Sequence, residues 1–419
     1  MHTRRSLGAA LGLAAAGAAA WRTGAAQPAD RGRAWIGTWT ASPMPRRPGM
    51  PRSITDRTLR QVVRVSIGGT AVRIRLSNEF GGRPVVVGTA HVALADPGAA
   101  ARTVPGSDRR LTFSGRASAV LPPGALLLSD PVALEVPALG SLAVSLYLPE
   151  TAELGTVHAV ALRTAHLSPP GNFAASAELP VATGLPHRFF LTEVMVGAES
   201  GGGARAVVAF GDSLTDGTGS TPDTDRRYPD HLARRLHAAG ERVAVLNQGI
   251  DGNRVLSDGA GPSALARFDR DALGHPGVTH VVLLEGINDL GWPGTAMDPY
   301  AAVPSAEDLA WGYRQLVARA HLRGVRVIGC TLTPFGGVSP GYYTPEKEAR
   351  RQAVNRWIRT GGAFDGVADL DAALRDPSRP DRLLPAYDSG DHLHPGDAGY
   401  RAMAEAIGLE LLGVGGRPG

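Results

Sequence analysis

Residues 207–217 read Val207-Val208-Ala209-Phe210-Gly211-Asp212-Ser213-Leu214-Thr215-Asp216-Gly217, and this stretch decides the fold. Four apolar residues in a row are enough for a short buried strand. Gly211 then permits a tight turn, and Asp212 and Ser213 are residue types that suit a helix start. A serine there sits at the end of a rigid strand, where unpaired N–H groups and the helix's positive end face outward. That placement suits a nucleophile whose attack creates an oxyanion. Gly-Asp-Ser is also ordinary turn chemistry, so the assignment depends on partners elsewhere.

Three later stretches supply candidates: Asn247-Gln248-Gly249, Gly286-Ile287-Asn288-Asp289 and Asp391-His392-Leu393-His394. Each follows a predicted strand or precedes a predicted helix. An unassisted serine hydroxyl needs a base within hydrogen-bond reach and a third group to orient that base. Asp391 lies three residues before His394 and can fold back to accept from the imidazole Nδ1–H, leaving Nε2 for the serine. His392 competes for the role of base. The spacing Asp-x-x-His favours His394, and two histidines two apart point to opposite sides of an extended loop. Metal binding by His392 and His394 is a further alternative, but no third ligand cluster lies near them in sequence. For the oxyanion, three donors are candidates: the backbone N–H of Ser213, the backbone N–H of Gly249 and the amide of Asn288. Asp212, Asp216 and Asp289 read as structural carboxylates that cap helices or bond backbone N–H groups. A glycosidase using two of them would leave Ser213, Asn288 and His394 without a task.

Taken together and in chain order, the four blocks resemble the SGNH hydrolases, or GDSL esterases. The family's Ser, Gly, Asn and His fall here on Ser213, Gly249, Asn288 and His394. The resemblance covers the C-terminal half. It implies a three-layer α/β/α, flavodoxin-like domain and an ester hydrolase working through an acyl-serine, with no cofactor and no metal. The whole chain is also similar to bacterial GDSL esterases that carry an N-terminal β domain. It leaves acetyl esters of polysaccharides, simple carboxylic esters, lipids and thioesters open as substrates.

The chain has 419 residues, 43% of them hydrophobic and 20% charged, a globular composition with room for two or three domains. Residues 1–26 carry Arg4, Arg5 and Arg22, no acid, an Ala/Gly/Leu run from Leu7 to Ala20 and small residues at Gly24-Ala25-Ala26. This reads as a signal peptide of twin-arginine type, and the expected destination is secreted or periplasmic. Its apolar run is shorter than the roughly 20 residues of a spanning helix, so no membrane span is expected in the mature protein. Most of the formal charge of +4 leaves with the leader. A near-neutral remainder gives no electrostatic case for nucleic acid. Cys330 is the single cysteine, in an apolar run that reads as a buried strand, so no intramolecular disulfide forms.

Between residues 34 and 200 the pattern is period-2 and broken by Gly/Pro turns, which predicts a β-sandwich, jelly-roll-like. Val63, Val65 and Ile67 alternate with polar residues, as do Val72, Ile74 and Leu76; Gly68-Gly69 between them reads as a two-residue hairpin. Trp35–Pro43 either belongs to the sandwich or reaches across to the second domain. Ser200–Gly203 reads as a linker. From 204 to 413 strands alternate with helices, which predicts a parallel, doubly wound sheet. Expected strands are Val207–Phe210, Val243–Asn247, Thr279–Leu284, Val325–Thr331 and Gly366–Leu370. Expected helices are Pro229–Ala239, Ala264–Leu273, one opened by the capping box Ser305-x-x-Asp308 and ending near Leu322, Thr344–Thr360, and Gly396–Leu412. Such sheets collect ligand sites at the strands' carboxyl ends, where Ser213, Gly249, Asn288 and the Asp391–His394 loop would meet. Trp292, Phe335 and Tyr342 read equally as pocket lining or as core.

The sequence therefore predicts a serine hydrolase of carboxylic esters. Export and a β-sandwich partner favour short acyl groups on carbohydrate. A lipase for longer chains and a non-catalytic carbohydrate-binding protein remain the alternatives, and oligomeric state is not legible.

Overall fold

The computed structural model describes residues 33–199 and 202–415. The stretch expected to be a leader, and Ser200 and Gly201 of the expected linker, lie outside the described residues. Residues 33–199 form an antiparallel sandwich. One sheet pairs Arg33–Thr40 with Leu191–Glu199, then Gly69–Ser77, whose far edge takes Leu126–Leu128 and Val132–Val136. The other sheet runs Thr183–Leu185, Ala165–Pro170, Arg57–Arg64, Ser141–Leu148, Thr89–Asp96, Ala99–Thr103, with Arg109–Leu111 also on Thr89–Asp96. Alternation places Val72, Ile74 and Leu76 opposite Leu142, Val144 and Leu146 in one continuous core.

The hairpin expected at Gly68-Gly69 does not form. Arg57–Arg64 and Gly69–Ser77 belong to different sheets, so the chain turns a sandwich corner there. Thr38 holds the corner through bonds to Ser66 N, Ile67 N and Ile67 O. A Cβ at Gly68 would lie 2.2 Å from Val136 O, so glycine serves close packing there and not a hairpin turn.

The second domain is an α/β/α domain around five parallel strands: β1 (Arg205–Gly211), β2 (Val243–Gly249), β3 (Val278–Leu284), β4 (Arg326–Cys330) and β5 (Gly366–Ala368). Their order is β2-β1-β3-β4-β5, the flavodoxin-like doubly wound arrangement. Helices α1 (Ser213–Asp216), α2 (Tyr228–Ala238), α3 (Ala264–Phe268), α4 (Ile287–Gly291), α5 (Ala306–His321), α6 (Pro345–Thr360), α7 (Leu370–Leu374) and α8 (Asp397–Ala406) connect and close it. The capping box at α5 is reciprocal, Asp308 N to Ser305 Oγ at 3.2 Å and Ser305 N to Asp308 Oδ2 at 2.8 Å. Two expected helices are shorter. α3 passes into a π-helical turn over Asp269–Leu273, and α8 stops at Ala406, ahead of Gly408 and a 3₁₀ turn at Leu409–Leu412. Among the described residues no helix is long and apolar enough to cross a membrane.

The sandwich covers the exposed edge of β2. Ser66 Oγ accepts from Val245 N at 3.0 Å, and Thr40 Oγ1 donates to Asn247 O at 2.9 Å. Ser42 bonds Gln248, and Glu193 faces His275 at 2.9 Å. Polar groups that an edge strand would leave unpaired are therefore satisfied by the other domain. Arg33–Thr40 thus does both things the sequence allowed: it is a sandwich strand and it packs on the second domain.

A further contact between the two domains is the titratable pair of His158 and Asp216. Buried His158 meets Ser42 O through Nδ1 at 3.1 Å, and Asp216 Oδ1 and Val160 O through Nε2 at 3.0 and 3.2 Å. Both nitrogens face acceptors, so the ring holds both protons. Burial lowers its pKa, but Asp216 and the Ser42 carbonyl outweigh that and raise it. A raised native pKa stabilises fully below the unfolded histidine value of about 6.5 and ceases to do so as pH rises through the native value. Melting temperatures at pH 6 and pH 9 should therefore differ more for wild type than for His158→Gln. An equal difference in the two proteins would show that this pair carries none of the pH dependence.

Candidate active site

Ser213 is the first residue of α1, directly after β1. Gly211 makes the turn possible, since a Cβ there would lie 2.0 Å from Leu284 O and 2.3 Å from Thr215 Oγ1. Asp212 caps the helix by accepting from Leu214 N at 2.9 Å, and Gly217 ends it in the left-handed conformation at φ 108°. Opposite, the loop before α8 carries the base. His394 Nε2 lies 2.8 Å from Ser213 Oγ, and His394 Nδ1 lies 2.6 Å from Asp391 Oδ2. With the proton on Nδ1 shared with the carboxylate, Nε2 is the acceptor for the serine. Asp391 Oδ1 is fixed by Leu393 N and His394 N at 2.9 and 2.8 Å. Partial burial raises the Asp391 pKa, but the bonds from the His394 ring and backbone win and hold the carboxyl well below the usual range.

His392 does not reach the serine. Its Nδ1 bonds Asp388 Oδ2 at 2.6 Å, a second His–Asp pair on the exposed side of the loop, with His392 at φ 67°. Each histidine has its own carboxylate.

Asn288, one residue into α4 at the end of β3, is 2% exposed. Its Nδ2 donates to Asn253 O at 3.0 Å and its Oδ1 accepts from Tyr342 Oη at 2.9 Å, which leaves one amide N–H. Gly249 is placed differently from its expected use. It is the last residue of β2, paired with Gly211, and its N–H donates to Asn247 Oδ1 at 2.9 Å. Directly after it, Ile250–Asn253 form a turn closed by Asn253 N to Ile250 O at 3.0 Å, with Gly252 at φ 76°. The N–H of Gly252 makes no hydrogen bond within the described residues. It sits beside Asn253, whose carbonyl holds the Asn288 amide.

The other carboxylates bond backbone or the neighbouring domain. Asp289 accepts from Val255 N and Leu256 N at 2.8 and 3.0 Å, and Asp216 holds Asp251 N as well as His158. Burial raises Asp212 to about 7 and Asp289 to about 6. Burial, reinforced by Asp212, also pushes Glu285 well up. Beneath them lies Arg267, fully enclosed. It donates to Gly211 O, Gln248 O and Asn253 Oδ1, each at 2.8 Å, and lies 3.9 Å above the Phe210 ring. It ties the ends of β1 and β2 to the Asn253 turn. In the sequence it is one of four charges in the expected helix Ala264–Leu273, with nothing to set it apart. Trp292, Phe335 and Tyr342 are packed, at 9%, 0% and 8% exposure, and the Trp292 indole lies against Gly252.

Several solved structures resemble part of the chain. A GDSL-like lipase from Bacteroides thetaiotaomicron is 19% identical, with 50% of this chain and 88% of that one covered and a TM-score of 0.37. The aryl esterase of M. smegmatis is 17% identical, with 50% and 100% covered and a TM-score of 0.39. A member of the lipolytic protein G-D-S-L family from Veillonella parvula is 19% identical, with 49% and 97% covered and a TM-score of 0.35. No curated protein sequence matches the chain. Residues 209–402, which span the nucleophile turn, the Asn288 helix and the His394 loop, match the GDSL-like Lipase/Acylhydrolase family. The match takes in the α/β/α domain from β1 into α8, and it is this stretch of the chain that is GDSL-like.

Proposed function

We propose that this chain is an exported serine hydrolase that cleaves short acyl esters, acetyl esters of carbohydrate in particular, through an acyl-serine. The observation that carries the hydrolytic part is the unbroken line from Ser213 Oγ to His394 Nε2 to Asp391 Oδ2, at 2.8 and 2.6 Å. In this reading His394 takes the Ser213 proton as Oγ attacks the ester carbonyl. The tetrahedral oxyanion is held by the N–H of Ser213, the free N–H of Asn288 and a backbone N–H of the Ile250–Asn253 turn. For that last donor Gly252 is favoured over Gly249, whose N–H is already engaged by Asn247. His394 then protonates the departing alcohol oxygen. Water, deprotonated by the same imidazole, releases the acid and restores the serine.

Export is supported by the twin-arginine leader. The carbohydrate preference is supported by export together with the antiparallel domain fixed to the edge of β2. A fluorophosphonate probe should label the protein stoichiometrically at Ser213. Among p-nitrophenyl esters, acetate and butyrate should turn over fastest, with acetate released from acetylated xylan. Absence of labelling would sink the hydrolase reading. Preference for octanoate or longer, with no acetate released, would overturn the substrate class alone.

A further inference from the structure

We propose that Tyr342 is a positioning residue for the oxyanion amide: its hydroxyl fixes Asn288 so that one N–H is held toward the reacting carbonyl. This rests on the hydrolase reading above. A primary amide offers one oxygen and two N–H groups, and it turns about a soft terminal torsion. Asn253 O takes one N–H at 3.0 Å and Tyr342 Oη donates to the oxygen at 2.9 Å. Held on both sides, the amide has a single orientation, and its second N–H is the only group left for a ligand. A donor on Oδ1 also draws charge off the amide nitrogen, so the remaining N–H becomes a stronger donor.

Tyr342 is itself rigid. Its ring lies against Gly291, where a Cβ would come within 2.2 Å of ring atoms, and it meets Phe335 edge-on at 5.9 Å. The loop bearing it is fastened to α4 by Lys347, the only lysine of the chain. Buried Lys347 Nζ donates to Gly291 O and Pro293 O at 2.8 Å each and to Gly341 O. Three carbonyls therefore accept from one ammonium, two of them just beyond Asn288 and the third from the residue before Tyr342. Burial raises the phenol's pKa well above its ordinary value, so the hydroxyl keeps its proton and remains a donor.

The test is a double-mutant cycle on the full-length protein with p-nitrophenyl acetate. Tyr342→Phe keeps the ring and removes only the hydroxyl. It should lower kcat about tenfold with KM within about twofold of wild type, the signature of an interaction that matters in the transition state. Asn288→Ala should lower kcat by roughly 10²–10³. The double variant should be no slower than Asn288→Ala, because Tyr342 acts only through the amide. Tyr343→Phe, whose hydroxyl bonds Asp381 instead, should match wild type. If Tyr342→Phe equals wild type, or if the two losses multiply, the positioning role is overturned while the hydrolase reading stands. A wild-type protein that neither turns over the ester nor takes the fluorophosphonate probe would overturn both.

Discussion

Ser213→Ala is expected to lower kcat by on the order of 10⁴–10⁶ while leaving the protein folded. The loss is large because no neighbouring group replaces the hydroxyl. Thr215 Oγ1 is engaged with Tyr228 Oη at 3.1 Å, and buried Cys330 has its thiol pushed up by desolvation. The fold should survive because the side chain makes one bond, to His394, whereas Asp212 supplies the cap that starts α1. Removing a single small hydroxyl should cost no more than about 1 kcal/mol of stability. Far-UV circular dichroism and melting temperature check the second statement, and p-nitrophenyl acetate turnover the first. Wild-type turnover in a folded Ser213→Ala protein would remove the nucleophile assignment.

What the sequence revealed follows how local the cause was. Ser305 and Asp308 form a reciprocal box three residues apart, so α5 could be read nearly to the residue. The nucleophile turn and the Asp391–His394 spacing are equally local. The oxyanion loop was legible only as a loop. Whether Gly249 or Gly252 has the free N–H depends on β2 pairing with β1, on the Asn247 side chain folding back and on the turn that follows. None of these is written in the spacing of two glycines. The Gly68-Gly69 corner was misread for a related reason: alternation identifies strands but not the sheet each one joins. Arg267 and Lys347 were beyond reach altogether. Lys347 donates to backbone carbonyls, which every residue carries, and Arg267 joins two such carbonyls to Ser42, Asn253, Asp271 and Glu285, partners spread from residue 42 to 285 that no local pattern gathers.

Asp391→Asn is expected to lower kcat by about 10⁴ with the fold intact, whereas Asp388→Asn should leave kcat within about twofold of wild type. The two carboxylates stand in the same loop, and each lies 2.6 Å from the Nδ1 of its own histidine. Only His394 continues to Ser213. An asparagine at 391 can turn its oxygen to the Leu393 and His394 N–H groups that Asp391 Oδ1 now accepts, so the loop retains its shape. Its NH₂ then faces Nδ1, which must become the acceptor, and the ring proton moves to Nε2. There it points at Ser213 as a donor, and the base is lost although every atom is nearly in place. The same exchange at Asp388 alters the pair with the more exposed histidine, which makes no bond to the serine; of the two rings His394 alone contacts it. Comparing the two variants separates the tautomer effect from general loosening of the loop. A small loss at 391 with a large one at 388 would transfer the role of base to His392.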